Sequence, residues 1–163
     1  MTSLTHFDDS GASRMVDVGD KPITRRVARA EGRVTMAAET LRTILDKRIA
    51  KGDVFEVARL AGIMAAKETS RLIPLCHILP LSSVKIQLAP LDERTVRIEA
   101  EVRVEGQTGV EMEALTAVTV CALTIYDMCK AIDRSLVLGP FVLVEKSGGK
   151  SGTFLRTSAD SPT

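Results

Sequence analysis

The 163-residue sequence predicts an α+β fold in which helices back an antiparallel sheet. The hydrophobic pattern switches several times between alternation with period two, which is typical of half-buried strands, and the longer period of helices. In chain order the segments read strand, helix, helix, strand, strand, helix, strand, and we find no internal repeat. This order contains the split βαβ pattern of a ferredoxin-like sheet, with an additional N-terminal strand and short helix.

The first half of the chain contains one predicted strand and two predicted helices. Residues 27–36 contain short alternating stretches that indicate a strand, and residues 38–46 (AETLRTILD) indicate a short helix. Asp53 is of the type that caps helix N-termini. It is predicted to begin a helix over residues 54–73, which Pro74 ends because proline cannot continue a helix.

The second half contains three predicted strands and one long helix. Residues 82–91 and 94–106 alternate with period two on either side of a polar linker, which predicts an antiparallel hairpin. Residues 109–130 (GVEMEALTAVTVCALTIYDMCK) are predicted to form a helix that is apolar almost all the way round. Residues 135–144 return to a strand pattern.

The domain organisation is predicted from length and from the composition of the ends. Residues 1–13 and 153–163 are rich in Ser, Thr, Asp and Gly, so both are expected to be flexible termini. The length fits one domain, which places a single catalytic domain at residues 14–152.

Composition and charge exclude several classes of protein. Lys and Arg (22) nearly balance Asp and Glu (21), which argues against a general nucleic-acid binder. The N-terminal stretch has no apolar core and no run approaches 18 apolar residues, so neither a signal peptide nor a membrane span is expected. The three cysteines lack CxxC spacing, so the sequence favours a reducing cytoplasm over a disulfide framework or zinc knuckle.

The long helix carries charges that a buried helix should avoid. At 100° per residue one narrow stripe, with Lys130 beside it, is predicted to contain Glu113, Thr116, Val120, Thr124 and Asp127. A solvent-facing stripe with a weak Asp–Lys ion pair is the alternative interpretation. The apolar remainder of the helix favours a core behind it and a site in front.

The helix over residues 54–73 is more apolar than a lone small domain needs. Its small residues, which would let another helix approach closely, are Ala61, Gly62, Ala65 and Ala66. The alternative is that this helix packs on the chain's own sheet, but such packing would cover only one face of the helix. The sequence therefore favours an oligomer.

Several polar residues are candidates for a site. His77, in IPLCHILP, is as consistent with a structural role as with proton transfer. The tail at residues 145–152 (EKSGGKSG) is not a P-loop, because Val144 stands where the first glycine would be needed, but its lysines and backbone amides are able to meet an anion. Lys51, at the predicted start of a helix, and Arg26 add further positive charges. Together these candidate residues suit the binding of a polyanionic small molecule.

These motifs resemble the MoaC family, the cyclic pyranopterin monophosphate synthases of molybdenum-cofactor biosynthesis. The resemblance covers residues from about 4 to 152 and rests on LTHFDDSGASRMVDVGDKP, KGDVFEVARLAGIMAAKETSRLIPLCH, TGVEMEALTAVTVCALTIYDMCKA and KSGGKSG. One departure is CHILPL, where the family usually has CHPL, so that Pro80 follows three residues after His77.

The resemblance implies a lyase reaction and a set of site residues. The implied substrate is (8S)-3′,8-cyclo-7,8-dihydroguanosine 5′-triphosphate, and the products are cyclic pyranopterin monophosphate and pyrophosphate. Matched motif by motif, the implied catalytic residues are Asp127, Lys130, Lys51 and His77. The implied substrate-binding residues are Leu75, Cys76, His77, Met112, Glu113, Glu111, Arg26, Lys146 and Asp17.

The resemblance also implies a homohexamer, a trimer of dimers with the site at a dimer interface. No tightly bound cofactor and no protein-held metal is expected, although Mg²⁺ is expected to accompany the triphosphate. An open alternative is a non-catalytic pterin- or nucleotide-binding module, or a regulatory oligomer. Such a module needs cations for phosphate but has no reason to keep Lys51, His77 and the Asp127–Lys130 couple together.

Overall fold

A computed structural model of the protein describes residues 6–47 and 52–157. Within these residues the elements follow one another as β1 (Thr24–Thr35), α1 (Ala38–Leu45), α2 (Val54–Lys67), α3 (Thr69–Leu72), β2 (Leu81–Pro90), β3 (Thr95–Gly106), α4 (Glu111–Cys129), β4 (Val137–Ser147) and β5 (Phe154–Leu155). The predicted α+β class is confirmed, and each predicted strand is present within a few residues of its expected bounds.

All five strands form one antiparallel sheet in the spatial order β2-β3-β1-β4-β5. With α2 connecting β1 to β2 and α4 connecting β3 to β4, this order is consistent with the ferredoxin-like arrangement. The predicted hairpin is the β2–β3 pair. The sequence analysis did not predict β5, whose two residues pair with the end of β4 inside the segment assigned to a flexible terminus. Two residues are too few for a period-two pattern to be recognised.

The two faces of the sheet differ sharply. Successive strand residues point to opposite faces, and in β1 and β3 every second residue is buried under the helices and, apart from Arg26, is small or aliphatic. Most of the residues between them are charged and lie on the open face. There Arg29 and Arg103 both bind the carboxylate of Glu101 at 2.6 Å. The core therefore lies between the sheet and one helical layer.

α4 is the central helix of that layer. It crosses β1 at Gly32, where a Cβ atom would lie 2.7 Å from a ring carbon of Phe141 and 3.3 Å from Cβ of Val118. A side chain larger than hydrogen at this position would collide with the Phe141 ring and crowd Val118 of α4. By length and composition alone α4 would suffice to cross a membrane, but the core helices of folded domains pass the same test.

α2 packs against α4 through the small residues that the sequence analysis assigned to an oligomer contact. A Cβ atom on Gly62 would lie 2.6 Å from Cδ1 of Ile86 and 2.9 Å from the carbonyl oxygen of Ala117, and the Cys121 thiol donates to the carbonyl of Ala58 at 3.1 Å. For Gly62 that interpretation is wrong, because α4 of the same chain packs against it. Three of the larger apolar side chains of α2 are exposed, namely Val57, Leu60 and Met64.

The helix predicted over residues 54–73 begins as expected but is interrupted. The Asp53 side chain caps α2 by accepting from the amides of Phe55 and Glu56 at 3.1 and 3.2 Å. A break at Glu68 separates α2 from α3. The hydroxyl of Thr69 donates to two carbonyls of the last turn of α2, which is a local hydrogen bond that competes with the helical pattern.

α1 is held by a residue from the far end of the chain. Its N-cap position, Ala37, has no side-chain oxygen, and the carboxylate of Asp133 accepts from the Ala37 amide at 3.0 Å instead. The same carboxylate accepts from the hydroxyl of Thr40 and from the amide of Ser135. These bonds lower the pKa of Asp133 to about 2, with the Ala37 amide as the largest cause.

Candidate active site

Two adjoining cavities lie where α4 begins. The larger, of about 390 Å³ and called here the His77 cavity, is lined by His6, Val16, Val18, Lys21, Leu75, Cys76, His77, Leu79, Thr108, Gly109, Glu111, Met112 and Glu113. The smaller, of about 190 Å³ and called here the Lys146 cavity, is lined by Lys21, Arg26, Val27, Gln107, Thr108, Gly109, Glu111, Lys146, Ser147, Gly148 and Ser151. Together they hold eight of the twelve residues that the sequence analysis assigned to the site.

The loop after α3 brings His77 to the first cavity. Pro74 prevents α3 from continuing, and the chain turns across the start of α4 before β2 begins at Leu81. The Nε2 atom of His77 lies 2.8 Å from the carbonyl oxygen of Val16. This bond joins the loop to the N-terminal segment, so two stretches that are far apart in sequence form one wall.

Glu113 is the buried acid of the His77 cavity. It is 3% exposed, and burial raises its pKa to about 7, with a smaller contribution from the nearby charge of Glu111. Burial also raises the pKa of the Cys76 thiol, and the charge of Glu113 adds to that shift. Near neutral pH the cavity therefore holds a carboxyl that exists in both protonation states beside a protonated thiol.

The Lys146 cavity gathers cations under the glycine-rich loop. Nε and Nη2 of Arg26 donate to the carbonyls of Gly106 and Gln107 at 2.9 and 3.0 Å. The ammonium group of Lys146 lies 3.3 Å from a carboxylate oxygen of Glu111 and donates to the hydroxyl of Ser151 at 2.9 Å. The cations are therefore held in place by neighbouring oxygens before any anion arrives.

The glycine-rich loop fits closely over Arg26. Gly148 and Gly149 have φ angles of +97° and +75°, in the left-handed region that favours glycine. A Cβ atom on Gly148 would meet the carbonyl of Arg25, and one on Gly149 would meet the guanidinium of Arg26. The predicted strand ended at residue 144, before the tail at residues 145–152, whereas the first residues of this tail belong to β4 and Lys146 pairs there with Phe154.

Asp127 and Lys130 lie at the opposite end of α4. Their side chains form an ion pair of 2.6 Å and are 63% and 52% exposed. The 14 positions from Glu113 to Asp127 correspond to about 21 Å along the helix axis, at about 1.5 Å per residue. The structure of one chain therefore does not bring this couple to the cavities.

The predicted stripe of α4 needs one correction. Glu113 was expected on the same face as Asp127, but it is buried, while Met112 and Leu123 are exposed. A sheet and α2 both cover this helix, so the exposed arc is narrow. A residue only about 40° away from Asp127 around the helix already faces the interior.

Asp17 is a further predicted residue that lines neither cavity. The exposed carboxylate of Asp17 accepts from the amide of Gly19 at 2.9 Å and so closes a local turn. Its neighbours Val16 and Val18 are the ones that line the His77 cavity. Lys51 lies outside the described residues.

Comparison with known proteins decides the family. Residues 15–149 match the MoaC family. The chain belongs to this family. Proteins named cyclic pyranopterin monophosphate synthase are 60% identical over 164 residues in Pelotomaculum thermopropionicum, covering 100% of this chain and 96% of the relative. Those of Magnetococcus marinus and Heliobacterium modesticaldum are 60% and 61% identical, covering 98% and 96% of this chain and 99% of each relative.

The match confirms the resemblance inferred from the motifs, and the structure assigns places to those motifs. In this MoaC chain GVEMEALTA begins α4 at the two cavities, while YDMCKA ends the same helix at the exposed ion pair. KSGGKSG closes over Arg26. Three of the segments that carry the resemblance thus form the walls of the cavities or the exposed end of α4.

Several polar residues that line the cavities were not predicted, namely Lys21, Thr108 and Ser151. Gln107 was not predicted either, and its side-chain amide joins the end of β3 to the segment around Gly19. Lys21 lies within the motif MVDVGDKP, and its position after a turn of Gly and Asp was the available signal. Within residues 6–47 and 52–157 we find no group of three or more His, Cys, Asp or Glu side chains arranged to hold a metal ion. The expectation about metals stays a prediction.

Proposed function

We propose that this chain converts (8S)-3′,8-cyclo-7,8-dihydroguanosine 5′-triphosphate to cyclic pyranopterin monophosphate and pyrophosphate, a lyase step of molybdenum-cofactor biosynthesis. The observation that carries the proposal is a cation-lined cavity that opens beside a cavity with proton-transfer groups, in a chain about 60% identical to enzymes of that name. A substrate with a triphosphate at one end and a ring system at the other fits such a pair of cavities.

The phosphate end of the substrate fits the Lys146 cavity. Arg26 and Lys146 supply positive charge, and the glycine-rich loop approaches them closely enough to exclude any side chain. Because Lys146 shares its charge with Glu111 in the free chain, an incoming phosphate oxygen competes for it. Charge-assisted hydrogen bonds of this kind are the stronger class in proteins.

The ring end fits the His77 cavity. Opening and reclosing the ring systems needs groups that give and accept protons, and the imidazole of His77 and the carboxyl of Glu113 supply such groups. Leu75, Cys76 and Met112 supply the less polar walls against which a pterin precursor packs.

The Asp127–Lys130 couple reaches a cavity only if a second copy supplies it. The exposed side of the helical layer between the two ends of α4 is apolar, with Leu60, Met64 and Leu123 about half exposed or more. Two copies packed antiparallel on this face would set the couple of one against the cavities of the other. We propose that such a dimer forms the complete site and that three dimers form a hexamer.

The direct test is to incubate the protein with the cyclised dihydro-GTP and to measure pyrophosphate release and product formation. We expect one pyrophosphate for each cyclic pyranopterin monophosphate. Tight binding of the substrate without pyrophosphate release would instead support the non-catalytic binding module. A matched preparation with Lys85→Ala, on the open face of the sheet, controls for surface charge.

The shared site has its own test. Asp127→Ala and His77→Ala chains should each be inactive, because every site lacks one group. After equal amounts are dissociated and reassembled together, half of the dimers are mixed and each carries one intact site, which restores about a quarter of the parental activity. A mixture that stays inactive would place both residues in a site within one chain.

Two further expectations accompany this function. Mg²⁺ enters the site with the triphosphate, held by phosphate oxygens, and no other cofactor is required. The three free cysteines, two of them buried, fit a reducing compartment, and we propose the cytoplasm.

A further inference from the structure

The chain continues past the glycine-rich loop and returns to the sheet. β5 pairs antiparallel with the end of β4, with Phe154 opposite Lys146 and Leu155 opposite Glu145. The loop at residues 148–152 is therefore the turn of a hairpin, and both of its ends are attached to the sheet. The region that matches the family ends at residue 149, before this return.

Arg156 fastens the returning segment to β4. Its amide donates to the carbonyl of Val144 at 2.8 Å, and its Nε donates to the carbonyl of Leu143 at 2.7 Å. The second bond is partly buried, where water competes less for the carbonyl oxygen. Arg156 thus binds β4 through both its backbone and its side chain, just before Lys146 in that strand.

The far end of the loop supplies one of the partners of Lys146. The hydroxyl of Ser151 accepts from the Lys146 ammonium group at 2.9 Å, and the amide of Gly152 donates to the carbonyl of Gly149 at 3.2 Å. Ser151 lines the Lys146 cavity and lies shortly before β5 in the chain. The position of its hydroxyl relative to Lys146 therefore depends on where β5 is held.

The loop has little stiffness of its own. It contains Gly148, Gly149 and Gly152, all with positive φ angles, and glycine has the most conformational freedom to lose on ordering. A loop of this kind attached at one end samples many conformations, whereas attachment at both ends restricts it. Gly149 lies so close to the guanidinium of Arg26 that a Cβ atom would collide with it. This close fit needs an ordered loop, and the attachment of β5 supplies that order.

We propose that Arg156 is a positioning residue, which fastens β5 to β4 and so holds the glycine-rich loop closed over Arg26 with Ser151 beside Lys146. The inference rests on the proposed function only for the substrate that the loop would meet. Arg156 lines neither cavity, so it acts through the backbone of the hairpin. Residues 153–157, assigned from composition to a flexible terminus, thus belong to the scaffold of the site.

The test compares two variants that each remove one Nε donor. Arg156→Met keeps the aliphatic stem but loses the bond to Leu143, and Arg33→Met loses a bond to Glu31 on the open face of the sheet. Hydrogen exchange is measured by mass spectrometry on the ligand-free proteins, and KM and kcat are measured with the cyclised dihydro-GTP.

The expected effect is local. In Arg156→Met the amides of residues 148–152 should exchange about threefold to tenfold faster, corresponding to the loss of one hydrogen bond, and the KM should rise by a similar factor. The kcat should stay within about twofold of the parent. Arg33→Met should match the parent in exchange, KM and kcat.

A second comparison tests the route of the effect. The proposal carries the effect of Arg156 to the substrate through Ser151 and Lys146. Arg156→Met should therefore raise the KM by less than about twofold when it is added to Lys146→Ala, because two changes on one route are not additive.

The outcomes separate this inference from the proposed function. Parental exchange at residues 148–152 in Arg156→Met would overturn the inference, whatever reaction the protein catalyses. Faster exchange across the whole chain, α4 included, would also overturn it, since Arg156 would then be a general stabiliser. So would an equal rise in KM with and without Lys146. If the parent releases no pyrophosphate from the substrate but exchange in the loop depends on Arg156, the positioning role stands and the proposed reaction fails.

Discussion

The charged residues at the two ends of α4 lie in opposite environments. At the N-terminal end Glu113 is buried beside two cavities, and its pKa is raised to about 7. At the C-terminal end Asp127 is exposed and pairs with Lys130 one turn later. One helix thus carries a desolvated acid at one end and a solvated ion pair at the other.

This difference follows from what covers each end. The loop after α3 and the segment around Val16 close over the start of α4, whereas Asp127 and Lys130 remain open to solvent in the single chain. An exposed ion pair contributes little to stability, about 0–1 kcal/mol. The charges at the exposed end are therefore accessible to a neighbouring copy, which is what the proposed shared site requires.

The largest expected effect is on turnover at the exposed end. We propose that Asp127 and Lys130 act as one acid–base unit, so Asp127→Ala should lower kcat by about three orders of magnitude or more, and Lys130→Ala should do the same. The double variant should lose little beyond either single one. The measurements are steady-state turnover and thermal unfolding of all three proteins.

Stability provides the control for this result. The melting temperature should change little, since the pair is exposed in the chain. Activity that falls only in proportion to the unfolded fraction would make Asp127 a structural residue. Near-parental turnover in folded Asp127→Ala would remove it from the chemistry and leave Lys51 and His77 as the remaining candidates.

The buried end should respond to pH instead. The pKa of Glu113 rises from its ordinary value of 4.5 to about 7 on folding. Its contribution to stability is therefore fully present below about pH 4.5 and is lost as pH rises through 7. By linkage the free energy of unfolding should fall by roughly 3 kcal/mol over this range because of Glu113.

Glu113→Gln removes that titration without removing the side chain. Denaturant unfolding at pH 5 and pH 8, at one fixed protein concentration, should show a smaller decrease for the variant than for the parent, so the variant is relatively more stable at pH 8. Glu93→Gln, at an exposed position in the turn between β2 and β3, serves as the matched control. Equal pH dependence in parent and Glu113→Gln would mean that the carboxyl is ionised in the folded state.

Much of the fold could be predicted because its signals are local. The alternation in β1 to β3 and the Asp53 cap each lie within a few consecutive residues. The break at Glu68 and the two-residue β5 were missed, since the first depends on a Thr69 hydroxyl that competes for carbonyls and the second on pairing across a glycine turn. The small face of α2 was assigned to another chain because composition does not say which helix will cover it.

The site was less accessible to sequence reasoning for a similar reason. Family motifs supplied His77, Glu113 and Lys146, and the structure brings them to two adjoining cavities. The burial that sets Glu113 apart from Asp127 depends on which side of α4 the sheet and α2 occupy. Lys21 was not among the predicted site residues, because its place beside both cavities depends on three-dimensional neighbours.

A smaller effect is expected at the phosphate side of the buried end. Lys146→Ala should weaken triphosphate affinity by about tenfold to a hundredfold, the loss of one charged hydrogen bond, with the fold intact. Increasing salt should reduce the difference from the parent, because the contact is electrostatic. Substrate titration at two salt concentrations measures both quantities. Parental affinity in Lys146→Ala would make the loop an ordinary surface turn.

The smallest expected effect separates two acids at the same end of the molecule, Asp127 and Asp133. Asp133 receives the amide of Ala37 and the hydroxyl of Thr40, so Asp133→Asn should lower the free energy of unfolding at neutral pH by about 1–2 kcal/mol. Turnover per folded molecule should be unchanged, which is the reverse of Asp127→Ala.

The lowered pKa of Asp133, about 2, adds a pH signature. Its charge stabilises the folded state above the ordinary value of 3.8, and that contribution is lost as pH falls through 2. The difference in stability between parent and Asp133→Asn should therefore shrink as pH is lowered from 5 toward 2 in denaturant titrations. A difference that stays constant over this range would assign the effect to altered packing of α1 and not to the carboxylate charge.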